Sequence, residues 1–231
     1  MDAKSIIGLN PKIKLNNGQL IPQVGLGVYK LAGESAEPLL HKAFEVGYRR
    51  IDTAAFYGNE PQVGAAVRNS GLPREEIFVT TKVWKDDHGY ERALAAIDES
   101  LARLDTEYID MLLIHWPCPS QNLYLDTWKA FEKVLADGLV RNIGISNFQP
   151  NQLSNLWQHA EVKPTINQVE LHPFFQQLAV RAANTEHGVL TEAWSPLARA
   201  GKNDNPTLLS ISEETDRTVS QVIIPSTINL T

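Results

Sequence analysis

Short apolar segments alternate with amphipathic stretches along most of the chain. Each apolar segment is only a few residues long and is bounded by polar or turn residues, which is typical of strands buried on both faces. Between these segments, apolar positions recur with the period of a helix over residues 39–46, 94–104 and 128–135. This alternation predicts parallel βαβ units. The strands are expected at intervals of roughly 23–32 residues, beginning near Tyr48, Phe78, Asp110, Arg141, Ile166 and Val189.

Two further patterns decide the architecture. Asn17-Gly18 lies between apolar residues 13–15 and 20–21, which predicts a β-hairpin ahead of the first unit. Gly25 and Gly27 are followed neither by a third glycine nor by an immediate helix start, so the dinucleotide fingerprint of the doubly wound fold is absent. The regular strand spacing favours a closed (β/α)8 barrel instead. Since no linker divides the chain, we expect residues 1–231 to form a single domain.

Composition and charge restrict the partners of this barrel. The chain has 231 residues, of which 43% are hydrophobic and 21% charged, and its net charge of −6 argues against nucleic acid or an anionic membrane as the main partner. Cys118 is the single cysteine, and no Cys/His cluster has the spacing of a zinc site, so neither disulfides nor a metal are expected. Residues 1–10 do not resemble a signal peptide, and no apolar run reaches the ~18 residues of a membrane span. We therefore expect a soluble cytoplasmic protein.

Ionisable and phenolic side chains follow three of the predicted strands. Chemistry in a (β/α)8 barrel takes place at the carboxyl ends of the strands. Asp52, Lys82 and His115 each come directly after an apolar strand segment, and Tyr57 lies in the loop that follows the first of them. Alone, each has an ordinary structural explanation: a cap, a surface charge, a core histidine or a loop-packing aromatic. Because the topology brings all four to one rim, the sequence predicts a shared site.

These four residue types suit proton transfer to a carbonyl oxygen. A free tyrosine has a pKa near ~10, and the lysine cation beside Tyr57 is expected to stabilise its phenolate and lower that pKa. Asp52 would pair with Lys82 and keep it charged, while a neutral His115 would orient the substrate oxygen through a hydrogen bond. The set contains no hydride donor, so a nicotinamide cofactor is implied.

Five motifs, in order along the chain, resemble the aldo-keto reductase family. They occupy residues 47–60 (GYRRIDTAAFYGNE), 80–84 (TTKVW), 113–117 (LIHWP), 144–148 (GISNF) and 167–173 (NQVELHP). The resemblance runs from Ile13 to about Ser226 and is closest to the bacterial 2,5-diketo-gluconic acid reductase branch, which has the residues WSPL of positions 194–197. It implies a monomeric (β/α)8 barrel that uses NADPH to reduce small aldehydes, ketones or α-dicarbonyls.

The resemblance also implies roles for individual residues. The catalytic tetrad falls on Asp52, Tyr57, Lys82 and His115, with Tyr57 as the general acid. The substrate pocket is expected to be lined by the tetrad residues Tyr57 and His115 together with four aromatic residues: Tyr29, Phe56, Trp84 and Trp116.

The residues implied to bind the cofactor lie mostly on later strands. Ser146, Asn147 and Gln168 match residues that hydrogen-bond the nicotinamide carboxamide, and Trp194 matches an aromatic that stacks on the nicotinamide ring. Without the resemblance, Ser146-Asn147 could equally cap the next helix, and Trp194 could be a core residue. The full set implied to contact the cofactor is Asp52, Ser146, Asn147, Gln168, Trp194, Ser195, Pro196, Leu197 and Ser226.

The C-terminal part of the sequence departs from the family pattern. Residues 215–222 are typical of a helix with Thr218 as a cap, yet the strand-like Ile223-Ile224-Pro225 follows without a turn residue. The family has additional residues here and a lysine before the position of Ser226, so we expect the eighth βα unit to be incomplete. Either segments of a longer protein are missing from this sequence, which we favour because the losses cluster at the adenosine end of the cofactor site, or the protein is shorter than its relatives.

Two other functions fit parts of the sequence. A barrel lyase or aldolase would form a Schiff base on Lys82, but Asp52 beside it would keep the amine protonated. A reductase-like barrel that only senses or binds nicotinamide would not require the intact tetrad. A reductase is the interpretation that uses all four residues.

Overall fold

A computed structural model of the chain describes residues 11–31, 33–198, 201 and 204–228. The expectation about residues 1–10 lies outside these ranges. The described chain begins with a hairpin in which β1 (Lys12–Lys14) pairs antiparallel with β2 (Leu20–Pro22). Gly18 takes a positive φ of 86° in the connecting turn, a conformation that glycine adopts without steric cost. The predicted hairpin is confirmed.

Seven parallel strands, paired in the order of the chain, form the main sheet. Six of them coincide with the segments predicted from the hydrophobic pattern. The first strand was missed because its two residues are too few to show a period. The strands are β3 (Leu26–Gly27), β4 (Arg50–Asp52), β5 (Phe78–Val83), β6 (Met111–Ile114), β7 (Ile143–Ser146), β8 (Ile166–Glu170) and β9 (Leu190–Trp194).

Helices connect each strand of this sheet to the next, as the βαβ prediction requires. The first six follow β3 to β8 one by one, and two more come after β9. None of the helices in the described part of the chain is long and apolar enough to cross a membrane. The helices are α1 (Ala36–Glu45), α2 (Glu60–Arg68), α3 (Tyr90–Leu104), α4 (Tyr124–Ala136), α5 (Pro150–His159), α6 (Leu178–Glu186), α7 (Pro206–Thr215) and α8 (Val219–Ile228).

Alternating residues of β6 contribute to two separate hydrophobic clusters. Leu112 and Ile114 of β6 pack outward into a large cluster with helix residues such as Phe131. The intervening residues Met111 and Leu113 belong to a second cluster that contains hairpin residues, because successive strand side chains point to opposite faces. This inner cluster consists of Leu15, Ile21, Phe78, Met111, Leu113 and Ile166.

The hairpin covers the amino ends of the strands. Asn17 donates a hydrogen bond to the Asn142 side chain just before β7, with 2.8 Å between the two atoms, and Asn16 donates to the Pro164 carbonyl before β8 at 2.9 Å. Because the hairpin covers the amino ends of the strands, a site on this sheet is expected at their carboxyl ends.

The end of the chain differs from the sequence-based expectation. Ile223-Ile224-Pro225 is not a strand but part of α8. Thr218 begins this helix: its Oγ1 accepts from the Gln221 amide at 3.3 Å, and the Gln221 side chain accepts from the Thr218 amide at 2.9 Å, a reciprocal cap that outweighs the weak strand preference of the isoleucines. Helical spacing also buries Ile223 and Thr227 on one face. Within the described ranges no eighth strand pairs with β3 or β9, so the fold is a seven-stranded near-barrel of the (β/α)8 type.

Candidate active site

The carboxyl ends of three adjacent strands deliver the predicted catalytic side chains to one rim. Asp52 is the last residue of β4, Lys82 lies near the end of β5, and His115 follows β6 directly. Tyr57 ends a short 3-10 turn, residues 55–57, in the loop after β4. Parallel pairing of these strands in register holds the four side chains close together.

Lys82 and Asp52 form a buried ion pair. The Lys82 Nζ donates to the Asp52 carboxylate and to the Thr53 carbonyl, 2.9 Å away. Lys82 is only 1% exposed, and burial alone would lower its pKa, but the neighbouring Asp52 carboxylate and the Tyr57 phenol raise the pKa above its ordinary value. Lys82 therefore carries its positive charge at neutral pH, and the expected pairing is present.

Tyr57 lies against this charge, with the Lys82 Nζ 5.2 Å from the centroid of the phenol ring. Burial raises the pKa of Tyr57 above its ordinary value, and the opposing effect of the Lys82 charge does not cancel it. The lowering of this pKa expected from the Lys82 cation is therefore present but smaller than the cost of burying a phenolate. Tyr57 consequently keeps its proton at neutral pH.

His115 completes the group as a neutral imidazole. Its ring meets the Tyr57 ring edge-on, with 5.7 Å between the centroids. Burial lowers the pKa of His115 to about 3, and the Lys82 cation acts in the same direction. Its Nδ1 is buried without a hydrogen-bond partner in the described part of the structure. The neutral state expected from the sequence agrees with this environment.

A second pair of charges extends the site across the barrel interior and was missed in the sequence. The Gln168 Nε2 donates to Asp52 Oδ2 and to Glu192 Oε1, both at 2.7 Å, and Glu192 in turn pairs with Arg50. Arg50 is buried, and the four charges of Lys82, Asp52, Glu192 and Arg50 balance. In the sequence, the sign of this pair was that Arg50 and Glu192 each interrupt a predicted apolar strand segment.

Aromatic side chains surround Tyr57 and His115. The Phe56 and Trp84 rings stack with centroids 4.0 Å apart, and Trp84 meets His115 edge-on at 5.0 Å. The Tyr29 ring is tilted against Tyr57 at 4.9 Å. Together with Trp116, these are the side chains that the sequence assigned to the substrate pocket. A groove of about 440 Å³ is lined by Trp84, Trp116 and Asn147 together with Lys85, Pro117, Cys118, Pro119, Gln149 and Gln152.

The residues assigned to the nicotinamide form one hydrogen-bonded group at the ends of β7 to β9. Ser146 Oγ donates to the Gln168 carbonyl at 2.8 Å, and Asn147 Nδ2 donates to Ser146 Oγ at 3.0 Å. The Trp194 indole N–H donates to Asn147 Oδ1 at 2.9 Å. Ser195, Pro196 and Leu197 continue from β9 into the loop that follows it.

Ser226 makes none of these hydrogen bonds. It is exposed on α8, where its hydroxyl donates to the Val222 carbonyl at 2.9 Å within the same helix. The described contacts do not bring it together with the rim.

Most of the chain matches a known family profile. The profile of the Aldo/keto reductase family covers residues 23–220. The chain belongs to the aldo/keto reductase family. This membership confirms the resemblance found in the motifs, and it makes the chain an NAD(P)H-dependent oxidoreductase.

Individual relatives agree with this assignment. The glyoxal reductase of Bacillus subtilis is 46% identical over 217 residues, which are 94% of this chain and 78% of the relative. The methylglyoxal reductase DkgA of Escherichia coli is 44% identical over 92% of this chain and 77% of its own length. A crystal structure of an aldo-keto reductase from Bombyx mori in complex with NADP superposes with a TM-score of 0.83 at 36% identity, covering 92% of this chain and 78% of the other.

NADP(H) is the cofactor of aldo/keto reductases, and the residues at the ends of β7 to β9 fit its nicotinamide half. A carboxamide is recognised by groups that can donate and accept hydrogen bonds. The side chains of Ser146, Asn147 and Gln168 supply such groups, and the partly buried Trp194 indole lies next to them. The chemistry of this donor set therefore suits the expected cofactor.

Proposed function

We propose that this aldo/keto reductase uses NADPH to reduce aldehydes, ketones and α-dicarbonyls to alcohols, with Tyr57 as the general acid. The observation that carries the proposal is the convergence of a charged lysine and a neutral histidine on one phenol. The Lys82 Nζ lies 5.2 Å from the Tyr57 ring centroid, and the His115 ring lies 5.7 Å from it. Relatives named for glyoxal and methylglyoxal reduction support small α-dicarbonyls as substrates.

In this mechanism a bound nicotinamide supplies the hydride, and the side chains of the rim orient and protonate the substrate oxygen. Tyr57 Oη donates its proton to that oxygen as negative charge develops on it. The Lys82 ammonium stabilises the phenolate that remains, and Asp52 holds Lys82 charged and in place. Because burial raises the pKa of Tyr57, the proton stays on the phenol until a stronger acceptor forms.

His115 positions the carbonyl for this transfer. A neutral imidazole can hydrogen-bond the substrate oxygen without competing with Tyr57 as the acid, and the low pKa of His115, about 3, keeps it neutral over the physiological range. Tyr29, Phe56, Trp84 and Trp116 line the apolar entrance, which favours a small carbonyl compound over a strongly charged one.

The cofactor is proposed to bind beside this entrance. Ser146, Asn147 and Gln168 would hold the carboxamide, and Trp194 would stack on the nicotinamide ring. Since two carboxylates already engage Gln168 Nε2, its Oε1 is the group left for the carboxamide N–H. We further propose that residues 195–197 lie near the pyrophosphate, that Ser226 serves the adenosine side, and that the protein acts as a cytoplasmic monomer.

The direct test is NADPH consumption by the purified chain with methylglyoxal, followed by absorbance at 340 nm. We expect turnover with NADPH and the matching alcohol as product. The alternative of a Schiff-base enzyme predicts instead that borohydride traps a covalent adduct on Lys82 in the presence of substrate. An absence of turnover with methylglyoxal, glyoxal and a simple aldehyde, at saturating NADPH, would contradict the proposal.

A further inference from the structure

Asn59, a buried asparagine next to the rim, has unusual hydrogen-bond partners for its position. Asn59 stands at the N-cap position of α2, where an asparagine side chain ordinarily accepts from the first amides of the helix. Here the side chain makes no such bond. The residue is 1% exposed, and all its side-chain hydrogen bonds go to other segments of the chain.

Two of these bonds fix a turn. The Asn59 Nδ2 donates to the Val28 carbonyl at 2.9 Å and to the Leu31 carbonyl at 2.7 Å. Val28 and Leu31 are the first and last residues of a β-turn closed by the Leu31 amide, which donates to the Val28 carbonyl at 3.0 Å. Asn59 therefore holds both ends of the turn at once.

The turn needs such support because its third residue is strained. Lys30 has a φ of 67°, in the left-handed region that favours glycine. The second residue of the turn is Tyr29, which is 57% exposed. The Tyr29 ring contacts the Tyr57 ring at a centroid distance of 4.9 Å. The position of Tyr29 at the substrate entrance thus depends on a turn with an unfavourable residue.

The remaining bond of Asn59 leads to the catalytic lysine. Thr53 Oγ1 donates to Asn59 Oδ1 at 2.6 Å, and the Thr53 carbonyl accepts from Lys82 Nζ at 2.9 Å. Thr53 is fully buried. One amide group therefore joins the turn that carries Tyr29 to the loop that holds Lys82.

We propose that Asn59 is a positioning residue that sets the substrate entrance: it clamps the strained turn of residues 28–31 so that Tyr29 lies against Tyr57, and it anchors that turn to the Thr53 loop. The proposal rests on the proposed function, since it assigns Tyr29 to substrate binding and Lys82 to catalysis. It adds that the apparent affinity for the carbonyl substrate depends on a residue that does not line the entrance.

The test compares Asn59→Ser with Asn69→Ser, a matched change at the C-cap of the same helix, where Asn69 makes an exposed bond to Glu37 at 2.7 Å. Two readouts are used. Hydrogen exchange of the Leu31 amide reports the turn without any need for activity, and KM for methylglyoxal reports the entrance. For Asn59→Ser we expect faster exchange at Leu31 and a KM raised roughly five- to tenfold, the size expected from losing one or two net hydrogen bonds. Asn69→Ser should change neither.

Rescue separates positioning from general stability. Lys30→Gly removes the left-handed strain, because glycine is the residue this turn position prefers. In the double variant Asn59→Ser/Lys30→Gly we expect KM to return toward that of the parent protein. If KM stays as high as in Asn59→Ser, or if Asn59→Ser changes only the melting temperature, Asn59 is merely structural and the proposal is overturned.

Thr53→Val provides a second route should Asn59→Ser not fold. It keeps the shape of the side chain and removes only the hydroxyl that orients the Asn59 amide. Faster exchange at Leu31 in this variant supports the proposal, and unchanged exchange overturns it. If the parent protein shows no reductase activity, the proposed function fails, and the exchange measurements alone decide on Asn59.

Discussion

The two ends of the strand barrel carry opposite kinds of side chain. At the amino end, Leu15 and Ile21 of the hairpin pack onto Phe78 and Met111 in a wholly apolar cluster. At the carboxyl end, Lys82, Asp52 and Gln168 form a polar network. It continues along the barrel interior through Glu192 to Arg50, the first residue of β4. Both ends are built on the same strands, so the difference comes mainly from which residues stand at the first and last positions of each strand. Arg50 is the exception, since it begins β4 and lies over the Phe78 ring while pairing with Glu192. Stability is expected to depend mainly on the first group and chemistry on the second.

Removal of the positive charge at the carboxyl end is expected to slow catalysis strongly. Lys82→Met keeps the length of the side chain but leaves no cation beside Tyr57, so we expect kcat to fall by about 10²–10³-fold, the usual effect of losing one electrostatic stabiliser. Lys129→Met, at an exposed lysine on α4, should keep kcat within a factor of two. Steady-state rates per folded molecule, checked by circular dichroism, measure both. Equal rates for the two variants would show that the charge of Lys82 is not used.

At the amino end the expected effect is on stability alone. Ile21 is 1% exposed and belongs to the inner cluster, so Ile21→Ala should lower the free energy of unfolding by about 2–4 kcal/mol. Leu20, its neighbour in β2, is 53% exposed, and Leu20→Ala should change the free energy by less than about 0.5 kcal/mol. Urea denaturation gives both values. A change in KM for methylglyoxal in Ile21→Ala at a temperature where the protein is folded would break the separation of the two ends.

Acid is expected to lower the free energy of unfolding because His88 is buried without its proton. His88, just after β5, is completely buried with both ring nitrogens lacking a partner in the described structure, and burial lowers its pKa from 6.5 to about 4. Between these values the unfolded chain takes up a proton that the folded chain does not, so stability falls as the pH drops from about 6.5 to about 4.

Replacement of His88 isolates this contribution. His88→Gln should flatten the pH dependence by up to roughly 3 kcal/mol across that window. Free energies of unfolding measured from pH 7 to pH 4 provide the comparison. An identical slope in the parent protein and His88→Gln would mean that His88 is protonated equally easily in both states.

Much of the barrel and of its site is encoded in local patterns. Short apolar segments bounded by polar or turn residues mark β4 to β9, which is why these six strands could be recognised. The predicted catalytic side chains lie at or soon after the ends of β4, β5 and β6. The pairing of Asp52 with Lys82 followed from strand order alone. The sequence was less informative where tertiary contacts decide: two residues define β3, and the reciprocal cap between Thr218 and Gln221 makes a helix of a segment rich in β-branched residues.

The electrostatic details of the site also depended on the three-dimensional structure. The rise in the pKa of Tyr57 reflects burial, which strand-end arguments do not measure. The pairing of Arg50 with Glu192 joins strands far apart in the chain, and the role of Asn59 depends on the path of a turn next to it. In each case the residue type was visible in the sequence, but the partner was not.

In the proposed reaction the phenol of Tyr57 delivers the proton, and Tyr57→Phe removes only the hydroxyl that carries it. Tyr29→Phe is the matched control, since it removes the same hydroxyl from the ring that contacts Tyr57. The rate of NADPH oxidation in a single turnover with methylglyoxal is the measurement, with NADPH binding checked by quenching of tryptophan fluorescence. We predict that Tyr57→Phe binds NADPH normally and slows the turnover by about 10²–10⁴-fold, while Tyr29→Phe stays within tenfold of the parent protein. A Tyr57→Phe variant that reacts as fast as Tyr29→Phe would show that Tyr57 is not the general acid.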